Sequence, residues 1–324
     1  MENTYHIPAM LKETNECLAI KREGVYVDVT FGGGGHSRAI LREMYNVQCP
    51  MDKGLVEGSV QKEGHLYSFD QDIEALENVQ RDNVQGTKDF LDNPKWTFVH
   101  SNFRYLKNWM DYYGEEAIDG LLADLGVSFH HFDCPERGFS FRYSAPLDMR
   151  MNQTAKRTAA DIVNGYSEEE LAKLFWLYGE LKNGRAIAHN ICLARAKNPI
   201  ERTEELVAAS RIPADKSKEL ARLFQALRIE VNDELGALRE MLVAARDLLK
   251  PGGRIAILTY HSLEDRLVKN FLRSGNLEGT IEKDFYGNNL SPFDVIEKGR
   301  EASADEVERN PRSRSAKLRV AEKK

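Results

Sequence analysis

Three aspartates and a run of glycines have the types and the spacing of a ligand site. Asp28, Asp70 and Asp124 each lie at the end of an apolar, β-rich run, and the first run continues into four glycines at 32–35. Ligands of an open parallel sheet bind outside the carboxyl ends of the strands. Glycines after the first strand let a ligand approach the backbone and face the N–H groups of the following helix. The pattern therefore predicts one ligand site at the ends of neighbouring strands.

The chemistry of these side chains favours one kind of nucleoside ligand. An acid at the end of the second strand, here Asp70, can accept hydrogen bonds from both ribose hydroxyls. Phe103, after the third strand, can flank an adenine. Three carboxylates would repel the pyrophosphate of NAD, whereas the sulfonium and amino groups of S-adenosyl-L-methionine suit negative charge. The residues thus favour a methyltransferase, with a dehydrogenase as the weaker alternative.

The elements that must position these residues alternate as in an α/β sheet. Short apolar strands separated by helical patterns are typical of a parallel sheet covered on both faces. Residues 155–230 carry only helical patterns. We therefore predict a discontinuous α/β domain at 1–136 and 233–324, with an inserted helical domain at 137–232. The strands are expected at 25–31, 65–70, 96–101, 118–126 and 254–260, and long loops at 44–64 and 274–310.

Composition limits the class of protein. The 324 residues are 42% hydrophobic and 30% charged, which is typical of a soluble globular chain. No apolar run approaches the ~20 residues of a membrane span, and the first residues lack the layout of a secretory signal. We expect a cytoplasmic protein with no membrane partner. The four cysteines are widely scattered, so neither a metal site nor a disulfide framework is expected.

The charge is unevenly distributed, although the net charge is −6. Residues 137–157 contain five basic residues and one acid, and residues 309–324 contain seven basic residues and one acid. This asymmetry predicts a basic face for a polyanion on an otherwise acidic body. For the C-terminal segment, a merely solvated tail is an equal alternative.

Long sequence blocks resemble one known family. They include HIPAMLKE, DVTFGGGGHSRAIL, DGLLADLGVS, ERGFSF, LDMRMN, FQALRIEVNDEL, PGGRIAILTYHSLEDRLVK and NPRSRSAKLR, in order from residue 6 to residue 319. The family is that of the bacterial small-subunit rRNA cytosine-N4 methyltransferases, once known as MraW. The resemblance implies a Rossmann-like class I methyltransferase domain that uses S-adenosyl-L-methionine and carries an inserted all-helical substrate-recognition domain.

The resemblance also implies a substrate and a set of contacts. The substrate would be a specific cytidine in the decoding centre of 16S ribosomal RNA, methylated at N4 in the small subunit or its late precursor. The resemblance leaves open whether the protein forms a homodimer. Carried over residue by residue, the cofactor contacts fall on Gly34, Gly35, His36, Asp70, Phe103, Asp124 and His131.

Two departures from the family pattern bear on these contacts. Phe129 stands where the family usually has a second serine, and His131 stands where it usually has glutamine. The block at 259–261 reads Thr-Tyr-His instead of the usual Ser-Phe-His, which we expect to be a mild change. Histidine can still form one hydrogen bond to the cofactor, whereas the ring of Phe129 either narrows the pocket or stacks on a base.

Cytosine N4 is a poor nucleophile, so a catalytic group should accept its proton. Asp124 is the first candidate, assisted by Ser128, and a role for Asp124 limited to cofactor binding is an equal alternative. His261 is either a general base or a structural hydrogen-bonding residue, and we favour the structural role.

A base in folded RNA must be turned out into a pocket. We expect phosphates to be held by arginines of the two basic segments, namely Arg137, Arg142, Arg150, Arg157, Arg312, Arg314 and Arg319. The neighbouring Phe139, Phe141 and Tyr143 either stack on bases or form an apolar seam between domains. Two further functions stay open: a methyltransferase of the same fold that acts on another nucleic acid or a small molecule, and a catalytically silent ribosome-assembly factor.

Overall fold

The computed structural model describes residues 8–46, 63–75, 77, 90, 93–126 and 135–324. Its strands are β1 Val25–Asp28, β2 His65–Asp70, β3 Trp96–His100, β4 Ile118–Asp124, β5 Leu249–Thr259, β6 Phe293–Glu301 and β7 Lys317–Lys323. Its α-helices are α1 Leu11–Leu18, α2 Gly35–Asn46, α3 Leu106–Tyr113, α4 Ala159–Gly165, α5 Glu168–Leu177, α6 Gly184–Arg195, α7 Thr203–Ser210, α8 Ser217–Asn232, α9 Glu234–Leu248, α10 Ser262–Ser274 and α11 Ala304–Arg309. No described helix is both long enough and apolar enough to cross a membrane.

The strands form one seven-stranded sheet of order β3-β2-β1-β4-β5-β7-β6. The pairs from β3 through β5 are parallel, whereas β7 is antiparallel to both β5 and β6. This arrangement confirms the predicted Rossmann-like methyltransferase fold. Because β1 lies between β2 and β4, the terminal residues Asp28, Asp70 and Asp124 share one edge of the sheet.

The central strands are buried on both faces, as their continuous apolar runs predict. Side chains of a strand alternate between faces. Val25 and Val27 accordingly belong to one apolar core with α9 and α10, while Tyr26 belongs to a second core with α1 and α2. The sheet is thus held rigidly between two helical layers, and its strand ends are fixed points for a site.

Two strands were missed by the sequence analysis. Residues 274–310, expected to be loops, contain β6 and α11, and the basic C-terminal segment is the interior strand β7 rather than a tail. The dense charge of this segment obscured an alternating pattern in which Leu318 and Val320 are fully buried. Arg319 between them is only 7% exposed and forms two bonds to Asp265, at 2.7 and 3.0 Å. Its guanidinium therefore has an internal partner, and its role in RNA binding stays a prediction.

The chain divides into two compact units, Met1–Gly126 with Gly236–Lys324, and Val127–Leu235. The boundaries differ from the expected 136/137 and 232/233. Arg137 lies in the helical unit in both cases, and its carbonyl accepts from the Met149 N–H at 3.1 Å. We call the first the sheet unit and the second the helical unit.

The helical unit has its own apolar core, formed mainly by α4 to α8. Ser167 and Glu170 form a capping box at the start of α5. Phe139 is buried in this core, and Phe141 packs against it through Phe224. These two rings therefore stabilise the helical unit itself, and only Tyr143, 51% exposed, remains available for stacking.

Replacing Arg319 by alanine should lower the free energy of unfolding by about 3 kcal/mol, because it leaves a partly buried carboxylate without its partner. Burial opposes ionisation of Asp265, but the bonds from Arg319 outweigh burial and lower its pKa. The loss should therefore be full above the pKa of an unfolded aspartate, about 3.9, and shrink as pH falls below it. Urea denaturation at several pH values measures this. The control is the exposed Arg314→Ala, and an equal effect of both changes would contradict the assignment.

Candidate active site

The first carboxylate of the site, Asp28, is fully buried at the end of β1. Its Oδ2 accepts from the Ser37 hydroxyl at 2.6 Å, and its Oδ1 accepts from the Thr30 N–H at 3.0 Å. Burial raises the pKa of Asp28 to about 6, and the bonds from Ser37 and Thr30 oppose the rise. Because these donors lie on α2 and on the loop after β1, Asp28 fixes the loop rather than facing a ligand.

The glycine loop is anchored a second time by Asp70. The Gly32 N–H donates to Asp70 Oδ2 at 2.8 Å, which ties the loop to the end of β2. Gly34 has a φ of +74°, and a Cβ there would lie 2.7 Å from the Phe31 ring; a Cβ on Gly35 would lie 2.1 Å from Pro8. Packing within the protein thus already requires glycine at these two positions. Beside Gly32, in contrast, a Cβ would meet no atom within 4 Å, so the open side of the loop is there.

Asp70 and Phe103 follow neighbouring strands of the sheet. Each oxygen of Asp70 accepts a backbone N–H, from Gly32 at 2.8 Å and from Asp72 at 2.9 Å. Phe103 follows β3 on a short 3₁₀ turn that Asn102 caps, and it is half-buried against the core of the sheet unit. Asp70 thus lies at the end of β2, and Phe103 begins the element after the adjacent strand.

The third carboxylate, Asp124, has a different set of partners. Its backbone N–H donates to the Thr30 hydroxyl at 2.7 Å, and its Oδ1 accepts from the Tyr260 hydroxyl at 2.6 Å. Burial raises the pKa of Asp124 to about 7; the Tyr260 bond lowers it, and the nearby Asp28 and Glu264 carboxylates raise it. A carboxyl with this pKa is a far better proton acceptor than an ordinary aspartate.

His36 lies beside Asp124 at the start of α2. Its Nε2 is 3.2 Å from the Ala9 carbonyl and its Nδ1 is 3.7 Å from Asp124 Oδ2. A carbonyl only accepts, so Nε2 carries a hydrogen and Nδ1 is the atom that faces the carboxylate. The imidazole is 4% exposed. The structure therefore places His36 behind Asp124, where it can influence the charge of that carboxylate.

Tyr260 was the functional partner that the sequence analysis underrated. The family pattern usually has phenylalanine at this position, and the hydroxyl that tyrosine adds is the group that donates to Asp124. Burial and the neighbouring carboxylate raise the pKa of Tyr260 well above its ordinary value, so the hydroxyl stays protonated and donates. The following His261 caps α10, with its Nδ1 accepting from the Glu264 N–H at 3.4 Å, which supports the structural role favoured for it.

Comparison with known proteins agrees with this geometry. The model of the MraW methylase family matches residues 3–324. The chain belongs to this family. Methyl transfer is accordingly the chemistry of this chain.

The family's relatives match over their whole length. The ribosomal RNA small subunit methyltransferase H of Parabacteroides distasonis is 54% identical, with 99% of this chain and 98% of that protein covered. The protein of the same name from Cytophaga hutchinsonii is 47% identical, with 98% and 99% covered. Among solved structures, a putative rRNA methylase from Clostridium thermocellum has a TM-score of 0.43 at 12% identity, covering 98% of this chain and all of the other. That score is too low for a comparison of residues.

Several residues expected from the MraW methylase family pattern lie outside the described part of the chain. These are Ser128, Phe129 and His131. Their expected roles in assisting catalysis, shaping the pocket and binding cofactor stay predictions.

The structure gives internal partners to three of the arginines expected at RNA. Arg137 donates to the carbonyls of Arg150 and Met151, at 2.8 and 3.1 Å. Arg150 forms two bonds to Asp148, at 2.8 and 2.6 Å, and Arg157 donates to the Glu230 carbonyl at 2.9 Å. These guanidinium groups hold the helical unit together.

The remaining arginines of that set are exposed at the surface. They are Arg142, Arg312 and Arg314. RNA contacts from these three stay a prediction.

Replacing Tyr260 by phenylalanine should raise the pKa of Asp124 above its value of about 7. A hydrogen bond to a charged group contributes about 1.5–3 kcal/mol, which corresponds to a rise of about one to two pH units. NMR titration of 13C-labelled aspartate carboxyls, with Asp124→Asn for assignment, measures the change.

The matched control is Tyr67→Phe, because the Tyr67 hydroxyl bonds a different carboxylate, Glu115, at 3.2 Å. This variant should leave the titration of Asp124 unchanged. An unchanged Asp124 titration in Tyr260→Phe would contradict the proposed hydrogen bond.

Proposed function

We propose that this protein transfers a methyl group from S-adenosyl-L-methionine to N4 of a specific cytidine in the decoding centre of 16S ribosomal RNA. The observation that carries the proposal is Asp124, a carboxyl that is 12% exposed and has a pKa of about 7, at the same sheet edge as Asp70 and the glycine loop. The full-length identity to ribosomal RNA small subunit methyltransferases supports an rRNA substrate. Bacterial ribosomes are assembled in the cytoplasm, so the proposal includes that location.

The residues of the sheet unit suit this cofactor. Asp70, the acid expected to accept from the ribose hydroxyls, lies at the end of β2 beside the glycine loop, and the space beside Gly32 is open. Among the residues that the structure describes, the one basic side chain near the Asp124 carboxylate is His36, whose Nδ1 is 3.7 Å from Oδ2. A positively charged ligand group would therefore be attracted to this edge, and a phosphate would be repelled. These features favour S-adenosyl-L-methionine over a dinucleotide.

Methyl transfer from a sulfonium is an in-line displacement in which the carbon–sulfur electron pair remains on sulfur. The protein's main task is to position the acceptor base. Cytosine N4 is weakly nucleophilic because its lone pair is delocalised into the ring. Asp124 can accept a hydrogen bond from the amino group, which localises that lone pair, and can take the proton as the new nitrogen–carbon bond forms. Tyr260 occupies Oδ1, so we assign the acceptor role to Oδ2.

The environment of Asp124 predicts how activity depends on pH. The carboxylate is the active form, and burial shifts its pKa to about 7. Below that value the group is protonated and cannot accept the proton, so the rate should rise with pH through neutrality. A bound cation would lower this pKa and move the rise to more acidic pH.

Deletion of the gene should abolish N4-methylcytidine in 16S rRNA, and the wild-type gene should restore it. Asp124→Asn should not restore it, since the amide keeps the shape but cannot accept the proton. Mass spectrometry of rRNA nucleosides measures the modification. A modification that persists after deletion would refute the proposed function.

Asp124 is either the proton acceptor or only a cofactor ligand. Calorimetric measurement of the protein's affinity for S-adenosylhomocysteine, together with turnover, distinguishes these two roles. If Asp124 is the proton acceptor, Asp124→Asn should reduce turnover by at least about 100-fold and change affinity by less than tenfold. If it only binds cofactor, affinity should fall with turnover. The positive control for affinity is Asp70→Asn, which should weaken binding of the same ligand. Unchanged affinity and turnover in Asp124→Asn would remove Asp124 from the site.

Binding of 16S rRNA should weaken steeply with salt, because each phosphate contact releases counterions. Replacing the exposed Arg142 and Arg314 by alanine should reduce the slope of log Kd against log salt by about two. Filter binding between 50 and 200 mM salt measures this. Arg150→Lys is the comparison, since Arg150 already pairs with Asp148 and the charge is kept. A slope that does not change in the double variant would exclude these arginines from the interface.

A further inference from the structure

A groove of about 740 Å³ lies on the helical unit, between α5 and the start of α6. Its lining includes two small residues, Ala172 and Gly184. A Cβ on Gly184 would lie 3.2 Å from Phe175 Cβ and 3.4 Å from the Ala172 carbonyl. The two helices therefore come close at this point because residue 184 is glycine. The volume is within the ~300–1,000 Å³ typical of ligand sites. We call this feature the Trp176 groove.

An indole lines the groove and faces water. Trp176, near the end of α5, is 60% exposed, although the rest of its helix turn packs through Leu174 and Phe175 into the core. Large exposed aromatic rings in concave sites supply rigid stacking surfaces at low entropic cost. The position thus offers a flat apolar face inside a cavity rather than a scattered surface ring.

Three cations line the same groove as this ring. Lys173 lies one helical turn before Trp176 on the same face of α5, Lys182 precedes α6, and Arg185 lies in its first turn. All three are exposed, and within the described part of the chain none of them forms an ion pair. Two acids, Glu168 and Glu169, also line the groove, and Glu168 lies 3.1 Å from His189. The lining therefore has more cations than carboxylates.

We infer that the Trp176 groove binds a single-stranded segment of the substrate rRNA, separate from the methylated cytidine. One base stacks on Trp176, and the flanking phosphates contact Lys173, Lys182 and Arg185. Aromatic rings interleaved with cations are the recurring arrangement for single-stranded nucleic acid. The inference rests on the proposed function and extends it: the helical unit recognises RNA through this groove, in a region that composition did not mark as basic.

Steady-state methylation of small ribosomal subunits from cells that lack this gene tests the inference. Trp176→Ala should raise KM about tenfold, as expected for one lost stacking contact, with kcat within about twofold. Trp176→Phe should recover most of the loss because it keeps a ring. The triple change of Lys173, Lys182 and Arg185 to alanine should raise KM by at least about tenfold and flatten its salt dependence.

The matched control removes the same charge elsewhere. Lys12, Lys21 and Lys269 are exposed lysines of the sheet unit, and their joint replacement by alanine should change KM less than about twofold if the groove is specific. An equal rise in both triple variants would mean general electrostatics and would overturn the proposal. Thermal denaturation should be nearly unchanged in Trp176→Ala, as expected at an exposed position.

Direct binding separates this inference from the proposed function. The Kd for the same subunits, measured without cofactor, should rise in the groove variants even if wild type transfers no methyl group, in which case only the proposed function fails. Unchanged Kd and KM in Trp176→Ala would overturn the groove. The groove variants should raise the Kd for protein-free 16S rRNA as well as for subunits. If they raise only the Kd for subunits, the groove binds a ribosomal protein, and the RNA inference is overturned.

Discussion

The buried carboxylate of Asp28 is the constraint on which the site depends. A carboxylate withdrawn from water must be fully hydrogen-bonded or it destabilises the fold. Ser37 and Thr30 satisfy it, and the Ser37 hydroxyl in turn lies 2.8 Å from the Ser68 hydroxyl on β2. The Trp96 Nε1–H on β3 donates to the Ser68 hydroxyl at 2.9 Å. Hydrogen bonds that begin at the Asp28 carboxylate thus connect β1, β2, β3, α2 and the glycine loop, and they hold the loop in one conformation.

Thr30 connects this network to the chemistry. Its hydroxyl accepts from the Asp124 N–H at 2.7 Å and lies 3.4 Å from Asp28 Oδ1. Asp28 is fully buried, whereas the Asp124 side chain is 12% exposed. Asp28 accepts from Thr30 and Ser37, while among the described residues the Asp124 side chain accepts from the Tyr260 hydroxyl. This difference supports the proposal that Asp28 is structural and that Asp124 takes part in proton transfer.

The sequence predicted those features of the fold and the site whose pattern lies within a short segment of the chain. Apolar strands that end in Asp28, Asp70 and Asp124 predicted the sheet edge and its acids, because strand periodicity and parallel topology act over short segments. The Tyr260–Asp124 bond joins residues 136 positions apart, so no local pattern could reveal it. The partner of Arg319 was hidden for the same reason, because Asp265 lies 54 positions away in the sequence.

Strand β7 has a consequence for how the chain reaches its native state. It lies between β5 and β6 although it follows both in sequence, so these two strands must wait for a partner that leaves the ribosome after them. Until then, the edge of β5 offers unpaired backbone groups that invite aggregation. Folding of the sheet is therefore completed late in biosynthesis. A protein released before residue 317 would keep all three site aspartates yet lack the interior strand that joins β6 to the sheet.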